Sequence, residues 1–207
     1  MDRYVVAMTG GSGAAYGRRL LEVLASTGAT VHFTLSDAAA KVIAHELTIP
    51  VDPADGPGCV RALLGDAPDN VVFHHYKDLE VPIASGSYRT AGMAICPCSM
   101  GTLGRVACGA SSNLIERAAD VCLKERRKLI VVPRETPLSE IHIENMLRLT
   151  RAGAVVLPAS PGFYGGGETV ERLVDFVVAR VLDQFGVEND LMRRYGEPAR
   201  RRHPEED

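Results

Sequence analysis

Six short apolar runs, nearly free of polar alternation, set the strongest limit on how this chain folds: residues 4–8, 30–35, 71–73, 93–96, 129–132 and 154–157. A strand with one wet face alternates polar and apolar side chains, whereas a strand covered by helices on both faces does not need to. Helical periodicity fills most of the gaps, over 13–26, 36–46, 99–108, 112–124, 139–151 and 169–186. This alternation predicts an α/β protein with helices on both faces of a doubly wound, mainly parallel sheet of about six strands.

At 207 residues and 46% hydrophobic composition, one domain buries enough surface to stand without disulfides or a structural metal. Residues 1–195 read as that domain, and 196–207 as a charged, solvated tail. Residues 50–70, broken by Asp, Pro and Gly, read as a surface excursion with a possible short helix at 59–64. In Thr136-Pro137-Leu138-Ser139, a capping hydroxyl before a proline predicts a helix start with Pro137 at its first position.

A net charge of −3 excludes a globally basic nucleic-acid binder. Five irregularly spaced cysteines without a C-x-x-C pair suggest neither a disulfide framework nor a zinc ribbon, and fit a reducing cytoplasm. The apolar run at the N-terminus is too short for a signal peptide or a membrane span. His74-His75-Tyr76 lacks a second ligand cluster, so a structural or surface role is favoured over a metal site. Cys96 and Cys98 read as inert buried thiols.

In open α/β sheets, ligands bind beyond the carboxyl ends of the strands. The first run is followed by Thr9-Gly10-Gly11-Ser12-Gly13-Ala14-Ala15-Tyr16-Gly17, a glycine turn opening a helix whose amides favour a phosphate. It is neither a P-loop nor the dinucleotide fingerprint, and a mononucleotide or single phosphate is the better expectation. Ser36 follows the second run, and Ser99-Met100-Gly101-Thr102 follows the fourth. Each hydroxyl alone is an ordinary helix cap, but three helix starts facing one crevice would form an anion-binding floor.

After the fifth run stand Arg134 and Glu135, which point opposite ways on extended backbone. Arg134 could hold a phosphate or ring carbonyl and Glu135 could act as a base, while a helix-dipole carboxylate is the plainer reading. Arg117 and Lys124, seven apart, share one helix face, where a solvated stripe is the default. Tyr164 sits in a kinked Gly- and Pro-rich loop that reads as a lid or clamp.

The glycine turn, Ser85-Gly86-Ser87, Pro97-Cys98-Ser99-Met100, Arg117-Ala118-Ala119-Asp120-Val121, Leu123-Lys124-Glu125-Arg126-Arg127, Arg134-Glu135-Thr136-Pro137-Leu138, Phe163-Tyr164 and Arg180-Val181-Leu182-Asp183 resemble the UbiX/Pad flavin prenyltransferases, from about Tyr4 to Tyr195. The resemblance implies a Rossmann-like flavoprotein fold and metal-independent transfer of a dimethylallyl group from dimethylallyl phosphate to N5 and C6 of reduced FMN. The prenylated FMN would serve a UbiD-type decarboxylase, and the enzyme would work as a homododecamer with sites between subunits.

By motif, Gly10, Gly11, Ser12, Ser36, Ser99, Met100, Gly101, Thr102 and Arg134 would hold FMN. Tyr164 and Arg180 would hold the allyl phosphate, with Lys124, Arg117 and Ser85 assisting. Glu135 and Glu46 would handle protons, and Ser12 would join the catalytic set. Three departures stand out: Gly101 where a lysine is frequent, Gly165-Gly166-Gly167 where a proline is usual, and Tyr195 where tryptophan is common. Two other classes stay open, a flavin-dependent cysteine-type decarboxylase and a non-catalytic FMN-binding regulatory subunit. The Asn-bearing turn expected of the former is absent from Pro97-Cys98-Ser99-Met100.

Overall fold

The buried, β-branched runs form parallel strands that helices cover on both sides. The computed structural model describes residues 2–163, 169–192, 194 and 196. All six expected strands form: β1 (Arg3–Met8), β2 (Thr30–Leu35), β3 (Val71–Phe73), β4 (Gly92–Cys98), β5 (Lys128–Pro133) and β6 (Val155–Val156). They pair in the order β3-β2-β1-β4-β5-β6, every neighbour parallel. β4 is buried throughout, as expected of a strand with helices above and below.

Alternation along the strands divides the core in two. Val6, Met8, Phe33, Leu35, Cys96 and Val132 face one layer, made by α1 (Ala14–Ser26), α2 (Asp37–Leu47), α3 (Gly56–Leu64) and α7 (Val170–Phe185). Val5, Ala7, Met93, Ile95, Leu129 and Val131 face the other, made by α4 (Met100–Ala107), α5 (Leu114–Lys124) and α6 (Glu140–Arg151). The chain winds outward from β1 to β3 and then restarts beside β1 at β4, so the switch point lies between β1 and β4. Thr9 ties their ends together: its amide and hydroxyl donate to the Pro97 carbonyl at 3.1 and 3.0 Å, and its Oγ1 accepts the Ser99 amide at 2.7 Å.

Two expectations change. The stretch 50–70 holds a longer helix than 59–64, because Asp55 caps it at the Gly58 amide (2.9 Å) and Cys59, Val60 and Leu63 bury against the core. The start of α6 is set by Ser139, not Thr136, and Pro137 lies outside the helix. Ser139 Oγ accepts the His142 amide while His142 Nδ1 accepts that of Ser139, a reciprocal box that fixes the first turn. The Thr136 hydroxyl donates to the Glu135 carbonyl instead.

Candidate functional site

Beyond the carboxyl ends of β1, β2 and β4 lies a cavity of about 320 Å³, lined by Gly10, Ser36, Ser99, Thr102, Arg105 and Asn113 among others. Ser36 caps α2 by accepting the Ala39 amide at 3.1 Å, and Ser99 caps α4 by accepting that of Thr102 at 3.3 Å. Each cap satisfies one amide and leaves the helix start able to meet an anion. The turn is packed too tightly for side chains: a Cβ on Gly10 would lie 2.7 Å from that of Ala38. One on Gly11 would lie 3.3 Å from the Cys98 carbonyl carbon.

The third expected helix start is already filled. Glu46, in the last turn of α2, accepts the amides of Gly13 (2.9 Å) and Ala14 (2.8 Å) at the head of α1. The Gly13 and Ala14 amides are therefore not free for a phosphate, and of the three expected helix starts those of α2 and α4 remain open to an anion. Partial desolvation would raise the Glu46 carboxyl, but the Ser12 hydroxyl, the two amides and the Arg134 charge outweigh it and hold the group below 4.5. Ser12, Glu46 and Arg134 thus share one neighbourhood.

A second polar cluster lies elsewhere. Lys124 pairs with Glu125 at the end of α5, beside Gly86, where an added Cβ would stand 2.6 Å from Lys124 Nζ. Ser85 and Ser87 share a hydroxyl hydrogen bond of 2.9 Å, and Arg117 donates to the Ala84 carbonyl at 2.9 Å and to Asp120 at 3.1 Å. Ser85, Arg117 and Lys124 are therefore drawn to one strip along α5. Lys124 precedes β5 and Glu135 follows it, so the strand's length, about 17 Å, separates them within one chain. Arg180 pairs with Asp183 at 2.7 Å on α7, across the sheet from α5.

Residues 1–182 match the Flavoprotein family. The flavin prenyltransferase UbiX of Halalkalibacterium halodurans is 50% identical over 194 residues, covering 94% of this chain and 93% of the relative. The chain belongs to the UbiX flavin prenyltransferase family. Two solved structures agree, each with a TM-score of 0.85 and 42% identity. One is AnUbiX (PadA1) in complex with FMN and dimethylallyl pyrophosphate, covering 95% of this chain and 98% of its own. The other is a dodecameric FMN-dependent UbiX-like decarboxylase from Escherichia coli O157:H7, covering 94% and 100%.

The cavity offers two capped helix starts, a turn without side chains and the Arg105 guanidinium. The Met100 side chain is buried in the core, so a ligand would meet this residue through its backbone alone. Gly101, Arg134 and Glu135 are exposed at the same sheet edge, and the Glu135 carboxylate accepts the Thr136 amide at 3.1 Å. Tyr164, the loop 165–167 and Tyr195 lie outside the described residues.

Arg105 and Asn113 line the cavity without having been singled out from the sequence. Spacing gave a clue to both: Arg105 is one helical turn past Gly101, and Asn113 stands three residues before Glu116, a capping pattern. Cys96 and Cys98 are fully buried, which pushes both thiols up, Cys98 to about 12, and leaves them unreactive. His74 is structural, its Nε2 2.9 Å from Nδ1 of buried His32. Among the described residues no group of three or more His, Cys, Asp or Glu is placed to hold a metal, and no helix is long and apolar enough to cross a membrane.

Proposed function

We propose that this chain transfers a dimethylallyl group from dimethylallyl phosphate to N5 and C6 of reduced FMN, without a metal. The observation that carries the reading is two separate clusters of hydrogen-bond donors on one chain. Ser36, Ser99 and Thr102 at the cavity suit the flavin phosphate, and Ser85, Arg117 and Lys124 suit a second phosphate for which a mere flavin binder has no use. The likeness to a UbiX protein holding FMN and dimethylallyl pyrophosphate supports the same pairing of ligands.

Reduced flavin supplies the nucleophilic nitrogen and carbon. The chain's residues do the rest. Gly10, Gly11, Ser12, Ser36, Ser99, Gly101, Thr102 and Arg134 seat the flavin. Arg117, Lys124 and Ser85, with Tyr164 and Arg180, meet the charge that grows on phosphate oxygen as the allyl carbon–oxygen bond breaks. The first bond, at N5, releases the N5 proton. A proton then adds to the allyl double bond, so that its tertiary carbon can bond to C6, and the proton that C6 loses is taken by Glu135. Glu46, held ionised at the glycine turn, fixes Ser12 near the flavin and completes the proton-handling pair.

Ile141, Ile143 and Leu147 stay exposed on α6, and a homododecamer would cover these apolar side chains while bringing Lys124 of one subunit to Glu135 of another. We place the enzyme in the cytoplasm, where its free thiols stay reduced, and assign its product to a UbiD-type decarboxylase. The test is anaerobic incubation with reduced FMN and dimethylallyl phosphate or pyrophosphate, followed by mass analysis of the flavin. A flavin heavier by one dimethylallyl unit is expected. Unchanged flavin with FMN demonstrably bound would favour the regulatory reading.

A further inference from the structure

Arg105 is the one cation among the described residues lining the cavity. Its Nε is held by Glu116, a carboxylate that is 0% exposed and also accepts the Ser112 amide at 3.0 Å and the Asn113 side-chain amide at 2.8 Å. Its Nη2 donates to Thr102 Oγ1 at 3.2 Å. Two of the three guanidinium nitrogens are thus committed to the protein, which fixes the plane of the group. Nη1 stands 3.4 Å from where a Cβ on Gly101 would sit, in the first turn of α4.

We propose that Arg105 is a phosphate-binding residue that grips the FMN phosphate at the starts of α2 and α4, in space that the bare Gly101 leaves open. The proposal rests on the flavin-site reading above and names the residue that supplies positive charge there. The helix starts at Ser36 and Ser99 offer amides and hydroxyls but no full charge, and a phosphate dianion in a walled cavity calls for one. Asp37, the other charged residue lining the cavity, is already engaged: the Tyr76 hydroxyl donates to it at 2.6 Å and Lys77 lies 3.8 Å away. Glu116 acts through Arg105, as the anchor that keeps the guanidinium from swinging into solvent.

The test compares the affinities of FMN and riboflavin, which differ by the phosphate alone, through quenching of flavin fluorescence. Arg105→Met should weaken FMN about tenfold or more and leave riboflavin within about twofold. Because this substitution strands a buried carboxylate, Arg105→Met with Glu116→Gln is measured beside it and should show the same selective loss. A lysine at 101 starts from the space beside Nη1, so Gly101→Lys added to Arg105→Ala should restore most of the preference for FMN. Equal weakening of both flavins, or full FMN affinity in the paired variant, would overturn the assignment. A wild-type protein that binds FMN no more tightly than riboflavin would instead overturn the reading of the cavity as a phosphate site.

Discussion

Glu46 Oε2 lies 2.8 Å from the Ala14 amide nitrogen, so a carboxylate from the end of α2 occupies the start of α1. It stands where an external anion would otherwise bind, and its charge complements the helix dipole. A group whose folded pKa is depressed lends stability that is complete above its unfolded value and lost as pH falls through the folded one. Glu46→Gln should therefore lower stability by about 1 kcal/mol at pH 7, with the difference closing as pH drops below 4.5. Urea denaturation at pH 7 and pH 3.5 checks this, and an equal deficit at both would show that charge is not what matters.

Gly17 marks the closest approach of α1 to the sheet. A Cβ there would lie 2.3 Å from the Cys96 carbonyl oxygen and 2.8 Å from the Met8 methyl carbon. Alanine is the better helix former by about 1 kcal/mol, yet the clash is with backbone that cannot swing aside. Gly17→Ala should therefore destabilise by about 1–3 kcal/mol, read as a lower denaturation midpoint. A raised midpoint would mean that α1 can lift off β4 at little cost.

The strands were legible because burial on both faces writes itself as unbroken apolar runs, and the three site turns because every strand of a parallel sheet ends at the same edge. Partners far apart in sequence were not. Nothing near Gly13 announces that Glu46 will fill its amides, and nothing near His32 announces His74 or Tyr88. The helix over residues 56–64 was obscured by Gly56-Pro57-Gly58, which breaks periodicity in sequence although Pro57 suits a first turn. Thr136 misled for the opposite reason: a hydroxyl and a proline were both present, but Ser139 with His142 made the better cap. No strand end points to Arg105, only its turn of helix from Gly101.

His32 sits 4% exposed between two rings, its Nδ1 2.9 Å from His74 Nε2 and its Nε2 2.9 Å from the Tyr88 hydroxyl. Burial, then the nearby His74 and Arg3 charges, pushes its pKa down to about 4. Between pH 6.5 and 4 the unfolded chain takes up a proton that folded His32 refuses, so stability falls as pH falls. The full loss is on the order of 3 kcal/mol. Thermal denaturation across that range should show the decline, and His32→Asn should reduce it, leaving the smaller part that buried His74, its pKa also lowered by burial, contributes. A His32 imidazole titrating near 6.5 by NMR would contradict the burial argument.

Thr34 Oγ1 is buried on β2 without a hydrogen-bond partner among the described residues. An unmade buried hydrogen bond costs more than an apolar group of the same shape. Thr34→Val should raise stability by about 1 kcal/mol, measured as a higher urea midpoint with an unchanged slope. A lower midpoint would show that the hydroxyl is satisfied in solution, by water or by a bound ligand.

The separation of Lys124 from Glu135 gives a test of where the active site is made. The length of β5 keeps the two apart in one chain, so the proposal that both serve one reaction carries the expectation that each site draws them from different subunits. Lys124→Met should lose at least tenfold in rate through weaker charge stabilisation on the leaving phosphate, and Glu135→Gln should stall before the second bond closes. When the two variants are unfolded together and reassembled at equal amounts, about a quarter of the sites should receive both intact residues, and activity should return to roughly that fraction. Variants refolded separately and then mixed, without subunit exchange, should stay inactive. If the co-assembled sample is equally inactive, Lys124 and Glu135 must serve from the same chain, and the intersubunit site is wrong.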